Sequence, residues 1–204
     1  MTLKEDAPAI RARVKLNIKD DIPAEILSYI GLVDNKEHIA IVFNSADKQQ
    51  KSPLVRVHSE CLTGDLFHSS RCDCGEQLDE SINIMKDKGG IILYLRQEGR
   101  GIGLYNKLDA YLFQEKGIDT YEANRKLGFN DDERNYDDAI NMLKAMKVSS
   151  IHLLTNNPLK IDAIGKEIFV ESIQNTKTYL KRDNKNYLLA KYELSDHQLE
   201  TSLI

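Results

Sequence analysis

All three cysteines of the chain fall in one stretch, RVHSECLTGDLFHSSRCDCGEQ at positions 56 to 77, where Cys61, Cys72 and Cys74 make a C-x10-C-x-C arrangement. The first thiol meets the other two only if the backbone turns back through Thr63, Gly64 and Asp65, so the stretch demands a closed loop. Zinc favours thiolate and imidazole ligands in a tetrahedron, and a catalytic zinc keeps three protein ligands with the fourth position open. Three cysteines match that count, and His58 and His68 flank the cluster as further ligand options. The plainer readings are inert buried thiols, or one disulfide with a free thiol. The opening MTLKEDAPAIRARVK is charged early and lacks the apolar segment of a signal peptide. A reducing compartment is therefore expected, where structural disulfides are rare. Cysteines one residue apart would also strain a disulfide between them.

At 204 residues and 41% hydrophobic content, the chain is long enough and apolar enough for a sizeable core. No run approaches the roughly 20 apolar residues of a membrane span. The net charge of -4 gives no support to nonspecific duplex binding, which needs a basic footprint. It leaves room for a local cluster of arginines and lysines around a nucleotide.

Periodicity predicts strands over 11–18, 38–44, 54–59, 91–95, 151–154 and 167–171, and helices over 76–88, 104–116, 121–127, 137–147 and 159–166. The segment 23–32 reads as a short helix or an irregular connection, 45–52 as a hairpin loop, 176–185 as a basic loop and 187–192 as strand or helix. Asp137 is the expected N-cap of its helix, and His152 reads as a packing residue. In the helix from Leu104, apolar residues at 104, 108 and 112 form one stripe and 105, 111 and 113 another, so Tyr105 and Tyr111 read as core or interface aromatics. Alternation puts Arg56 and His58 on one strand face and Val55 and Val57 on the other. The expected fold is α/β with α+β character: a mixed central sheet flanked by helices. Residues 1–10 are expected to be a flexible terminus, 11–193 a single catalytic domain and 194–204 a weakly ordered tail.

Two further stretches look chemical. RQEGRGIGL at 96–104 follows a buried strand with glycines at 99, 101 and 103. Its backbone can approach a phosphate closely, although G-x-G-x-x-G is not satisfied. TNNPLK at 155–160 lies at the end of another strand, where ligands are recognised in helix-covered sheets.

Together these residues resemble the GTP cyclohydrolase II family. The matching pieces are RVHSECLTGD at 56–65, RCDCGEQL at 71–78, RQEGRGIGL with NK at 96–107, DTYEAN at 119–124, LGF with DDER at 127–134, and LLTNNPLK at 153–160. They follow the family order and cover about half of the chain.

The resemblance implies that GTP loses guanine C8 as formate and also loses pyrophosphate, leaving a diaminopyrimidine ribosylamine monophosphate, the first step of riboflavin biosynthesis. It implies one zinc ion on Cys61, Cys72 and Cys74, and magnesium with the triphosphate. Arg134 is then the nucleophile at the α-phosphorus assisted by Asp132, or else an electrostatic stabiliser, because a guanidinium stays protonated. Tyr111 matches an active-site tyrosine. Arg56, Val57, His58, Ser59, Glu60, Gln77, Glu98, Gly99, Arg100, Thr120, Thr155 and Lys160 match the GTP-contacting set. The resemblance further implies a cytoplasmic homodimer that binds neither nucleic acid nor membrane, without the synthase domain often fused ahead of this unit.

Two stretches depart from the family pattern: VKLNIKDDIPAEI at 14–26 and AKYELSDHQ at 190–198. They bear on the outer pocket wall, the dimer surface and the tail. The alternatives are a related cyclohydrolase that opens the ring without releasing pyrophosphate, and a non-catalytic zinc-containing nucleotide-binding module.

Overall fold

The computed structural model describes residues 7–19, 21–44, 51–195 and 197–199. Seven strands form one sheet in the order β1-β2-β3-β5-β4-β6-β7. These are β1 (Ala9–Ile18), β2 (Ile22–Ile30), β3 (Ile39–Phe43), β4 (Leu54–Ser59), β5 (Gly90–Leu95), β6 (Ser150–Leu154) and β7 (Phe169–Gln174). From β1 across to β5 the pairing is antiparallel, and from β5 through β4 and β6 to β7 it is parallel. The mixed sheet expected from the sequence is therefore two half-sheets joined at β5.

Alternation along the central strands sorts the core onto two faces. Val55, Val57, Ile91, Leu93, Ile151 and Leu153 pack with Ala139, Ile140 and Leu143 of α5 (Asp137–Ala145) and with Ile164 of α6 (Pro158–Gly165). Ile92 points the other way, toward Ile82 and Met85 of α2 (Cys74–Lys88). Arg56 follows that second face, where its Nη2 donates to Gln77 Oε1 of α2 at 2.8 Å. A polar side chain is thus carried beneath a helix by strand periodicity alone.

Several local expectations change. Residues 23–32 are mostly strand, not helix, because β2 is zipped to β1 around a turn with positive φ at Lys19 and Asp21. Pro23 is tolerated there because the ladder to β3 starts only at Glu25, so no bond is lost on that side. Most of the expected hairpin loop lies outside the described residues, and the strands it joins are not neighbours in the sheet. The N-cap of α5 is Tyr136, and Asn135 Oδ1 takes the Asp137 N–H at 2.6 Å. His152 is not packed in the core: its side chain is 42% exposed and its Nδ1 lies 2.8 Å from Ser172 Oγ. Residues 187–192 belong to helix α7 (Lys185–Ser195). Strand β1 and helix α7 extend slightly beyond the expected 11–193 unit. Most of the expected flexible terminus and tail lies outside the described residues.

The largest reversal concerns α3 (Leu104–Gln114). Its buried residues are Lys107 and Ala110, whereas Tyr105, Leu108 and Leu112 are exposed, Tyr105 at 82%. The amphipathic pattern identified an apolar face correctly, but that face looks outward.

Asp34, His38 and Asp138 bring their ligating atoms within 4.8 Å of one another. His38 Nδ1 accepts the Arg96 N–H at 2.9 Å, so the ring carries its proton on Nε2, 3.0 Å from Asp34 Oδ1. A protonated nitrogen is no metal donor, and Asp138 already takes the N–H groups of Val33 and Asp34. The cluster is a structural clasp between the β2–β3 connection and α5. Burial lowers the His38 pKa, against the opposing pull of Asp34 and Asp138. Because the unfolded ring titrates near 6.5, the unfolded chain takes up a proton below that pH before the folded ring does. This contribution to stability is whole above about pH 6.5 and drains as pH falls. The unfolding free energy from urea titrations should therefore drop between about pH 7 and about pH 5, by at most about 1.4 kcal/mol per pH unit from this ring. His38→Gln should flatten that slope, and an unchanged slope would count against the clasp.

Candidate active site

Three of the stretches singled out in the sequence leave the sheet at the C-terminal ends of parallel strands. β4 ends at Ser59 and runs into Cys61, β5 ends at Leu95 before the glycine-rich turn, and β6 ends at Leu154 before Thr155. The chain leaves β4 toward β5 but leaves β6 toward β7, so the crevice between β4 and β6 is a topological switch point, where open α/β sheets bind ligands.

After β4, Asp65 folds the cysteine loop back on the sheet. Its carboxylate lies 3.0 Å from His58 Nε2, accepts the Cys61 N–H at 3.0 Å and accepts from Tyr94 Oη at 2.9 Å. His58 is buried and stacks on Tyr94 at 5.4 Å, and burial lowers its pKa despite Asp65. The short helix α1 (Leu62–Asp65) carries Gly64 onto the sulfurs. A Cβ there would lie 2.8 Å from Cys72 Sγ and 3.1 Å from Cys61 Sγ. Only glycine lets the loop close.

The three Sγ atoms lie within 4.8 Å of one another, with Cys61 and Cys72 at 3.6 Å. Tetrahedral thiolates about 2.3 Å from one ion stand about 3.8 Å apart, so the triad fits a metal ion. Neither His58 nor His68 belongs to the cluster. Hydrogen bonds from the Cys72 and Cys74 thiols and the nearby Lys107 ammonium hold Cys61 far below the ordinary thiol range, while its bond to Cys61 pushes Cys72 up to about 11. The set already carries thiolate character, and a divalent ion would displace the remaining protons. Cys74 also opens α2, whose free N–H groups and dipole favour negative charge.

A second network ties this loop to the glycine-rich turn. Glu98 accepts the Leu62 N–H at 2.6 Å with one oxygen, and the Gly99 N–H at 2.9 Å and Lys107 Nζ at 2.8 Å with the other. Lys107 Nζ also reaches Cys61 Sγ at 3.2 Å. This explains why α3 turns its lysine inward and its apolar stripe out. The turn itself places Gly99 and Arg100 in left-handed conformations. A Cβ at Gly101 would meet Glu133 backbone at 2.8 Å, and Glu133 N donates to Arg100 O at 2.9 Å. The RQEGRGIGL and DDER stretches are thereby locked together.

Two chambers result. The first is lined by the three cysteines together with Glu60, Glu98, Gly99, Arg100, Tyr111 and Thr120. The second is lined by Arg56, His58, Gln77, Thr155 and Lys160. Ser59, Cys74 and Arg134 border both. Val57 and Asp132 line neither. Val57 turns its side chain into the core, and its carbonyl accepts from Lys160 Nζ at 2.7 Å. Asp132 holds Arg134 in a bidentate pair at 2.8 and 2.5 Å. Burial alone would raise the Asp132 pKa, but Arg134 outweighs it and the carboxyl sits below its ordinary range. Arg134 stays protonated, since Tyr136 and Asp132 overcome the effect of burial.

Six buried polar atoms of residues bordering these chambers have no hydrogen-bond partner among the described residues: Arg56 Nε, His58 Nδ1, Ser59 Oγ, Gln97 Oε1, Arg100 Nη1 and Asn157 Nδ2. Such atoms are rare in folded proteins, and these are free to meet a polar ligand or water in the chambers. Sequence reasoning missed Lys107, which stood in the NK pair, and the chamber-lining Tyr187, Lys191 and His197. Lys191 and His197 lay in plain view in AKYELSDHQ, but nothing local linked them to a site far back in the chain.

Replacing Gly64 by alanine should displace the sulfurs and weaken zinc retention by about tenfold or more against a chelator, the scale seen when metal-ligand supports are lost. Cys72→Ser should abolish retention. Wild-type zinc affinity in Gly64→Ala would refute the close-approach account.

Comparison with known proteins supplies the last observation. A family model described as GTP cyclohydrolase II matches residues 11–172. The GTP cyclohydrolase-2 of Aliivibrio salmonicida is 59% identical over 194 residues, covering 94% of this chain and 97% of that one. The GTP cyclohydrolase-2 of Vibrio cholerae is 57% identical over 194 residues, covering 94% and 98%. The riboflavin biosynthesis protein RibBA of Bacillus subtilis is 47% identical over 177 residues, covering 86% of this chain and 44% of its own.

Proposed function

The chain belongs to the GTP cyclohydrolase II family, and we propose that its two chambers divide one reaction on GTP between ring opening and phosphorus chemistry. It is a hydrolase of riboflavin biosynthesis. The observation that carries the division is the position of Arg134, which borders both chambers while Cys61 and Cys72 line the first.

Cys61, Cys72 and Cys74 would hold zinc, which supplies Lewis acidity and a water of lowered pKa at guanine C8. Glu60, Gly99, Arg100 and Thr120 hold the nucleotide in the first chamber. Glu98 shapes the floor through Leu62 N and Lys107. Tyr111 lines the same chamber as the sulfurs and orients the oxygen that attacks or leaves. In the second chamber Arg56, His58, Ser59, Gln77, Thr155 and Lys160 meet the rest of the substrate, and Val57 acts only by fixing Lys160. Arg56 and Lys160 have no carboxylate partner among the described residues, which suits a polyanion. Arg134 acts by charge rather than as a nucleophile, because its pair with Asp132 keeps the guanidinium protonated. The triphosphate is expected to carry Mg²⁺, which offsets the charge of departing pyrophosphate.

Incubation with GTP, with zinc, formate and pyrophosphate measured together, tests this reading. Formate and pyrophosphate should both appear. Formate alone would indicate the related ring-opening activity, and bound zinc with GTP affinity but no turnover would indicate a binding module. Either result overturns the proposal. Arg134→Ala should slow pyrophosphate release by about 100- to 1,000-fold while changing GTP affinity far less.

We assign residues 11–193 to one catalytic unit and its site of action to the cytoplasm. No described helix is long and apolar enough to cross a membrane. The outward face of α3, with Tyr105, Leu108 and Leu112, is assigned to a second copy of the chain. Light scattering should then report the mass of two chains for the wild type and one for a Leu108→Glu, Leu112→Glu variant. An unchanged mass would remove this face from the interface.

A further inference from the structure

The matched family segment ends at residue 172, yet helix α7 (Lys185–Ser195) closes the space between the two chambers. Tyr187 and Lys191 from this helix, with His197 just beyond it, line both. The helix is held firmly against the cysteine loop. Lys191 Nζ lies 3.0 Å from Asp73 Oδ1, and Asp73 is fully buried between Cys72 and Cys74. The Lys191 ammonium also sits 4.3 Å from the Tyr187 ring centroid, and Tyr187 Oη lies 4.0 Å from Cys74 Sγ. Past the helix, Gln198 N donates to Asn156 O at 3.0 Å, beside the Thr155 end of β6.

An ion pair that served only to anchor a helix would best stand away from other cations. Lys191 does the opposite. Its side chain is 12% exposed and lines the second chamber together with Lys160, Arg56 and Arg134. Asp132 is committed to Arg134 and Asp73 to Gln77 and Lys191. An ammonium has three donors, and the Asp73 contact is the one hydrogen bond the Lys191 side chain makes among the described residues. Several like charges turned toward one buried space cost stability unless an anion joins them. A chain of phosphates running from one chamber to the other would pass this side chain.

We propose that Lys191 is a substrate-positioning residue of the nucleotide site, contacting the triphosphate where the two chambers meet, with Tyr187 holding its ammonium in place. The inference rests on GTP as the substrate and extends the site into a helix beyond the matched segment. Removing one charge-assisted phosphate contact weakens binding by about 10- to 100-fold.

The test uses the full zinc-loaded chain as wild type, Lys191→Met and Lys191→Arg. In Lys191→Met the KM for GTP should rise about 10- to 100-fold with kcat changed much less, and Lys191→Arg should recover most of the loss. Binding of guanosine, which has no phosphates, and of a non-hydrolysable GTP analogue is measured alongside. Lys191→Met should weaken the analogue and leave guanosine unchanged. Equal weakening of both ligands would mean that the helix has merely shifted, and an unchanged KM and analogue affinity would mean that Lys191 meets no phosphate. Each outcome overturns the inference while leaving wild-type formate release intact. If the wild type releases no formate, the analogue and guanosine arms still decide the role of Lys191. A wild type that binds neither ligand would remove both readings.

Discussion

The absence of a side chain at Gly64 is the constraint on which the site depends. The cysteine loop must deliver thiols from β4 and from the start of α2 to one point, and a single methyl group at Gly64 would occupy the space between them. Gly75 meets the same backbone from the other side, where a Cβ would lie 2.3 Å from Gly64 O. Two glycines thus let a four-residue helix sit directly on the first turn of α2. Once it does, Asp65 can reach His58, Tyr94 and the Cys61 N–H together, and the loop becomes an extension of the sheet. The thiols acquire fixed positions from a rigid strand and a rigid helix rather than from a flexible loop, as a preorganised metal site requires.

Glu98 carries this rigidity outward. Its carboxylate ties the loop after β4 to the turn after β5 and to helix α3. Although Glu98 matches a nucleotide-contacting position, its oxygens are taken up by protein donors. It therefore shapes the wall of the first chamber, beside Gly99 and Arg100. The inward turn of Lys107 follows from the same contact, because a buried carboxylate and a thiolate cluster need a cation. The outward turn of the apolar face of α3 is the consequence.

That exchange shows what was legible in the sequence. Cys61, Cys72 and Cys74 stood within 14 positions, and the strands β4, β5 and β6 announced themselves as apolar runs, so the site and its place at the strand ends could be read directly. Periodicity also identified the two faces of α3, but burial is decided by partners: Glu98 and Cys61 claimed Lys107. β2 was obscured because Pro23 and the spacing of its apolar residues resemble a helix start, whereas pairing with β1 and β3 overrides local preference. Lys191 was illegible for a third reason. Its partner Asp73 is 118 positions away, and no periodicity links a lysine on a C-terminal helix to a loop near the start of the parallel half.

The distribution of charge then connects fold to chemistry. The protein is acidic as a whole, yet Arg56, Arg134, Lys160 and Lys191 gather where β4 and β6 diverge. Each is held differently: Arg56 by an amide, Arg134 by a bidentate carboxylate, Lys160 by a backbone carbonyl and Lys191 by the carboxylate between two metal-ligating cysteines. Neutral partners leave the charges of Arg56 and Lys160 uncompensated, while the ion pairs fix Arg134 and Lys191 in orientation. A polyanion entering this space meets preset donors whose desolvation has already occurred during folding. The cost of that arrangement falls on stability, against the hydrophobic layer that α5 and Ile164 of α6 build with Val55 and Val57. The hydrophobic layer and the cationic chamber are two sides of the same strand, separated by the alternation of Val55 and Val57 with Arg56 and His58.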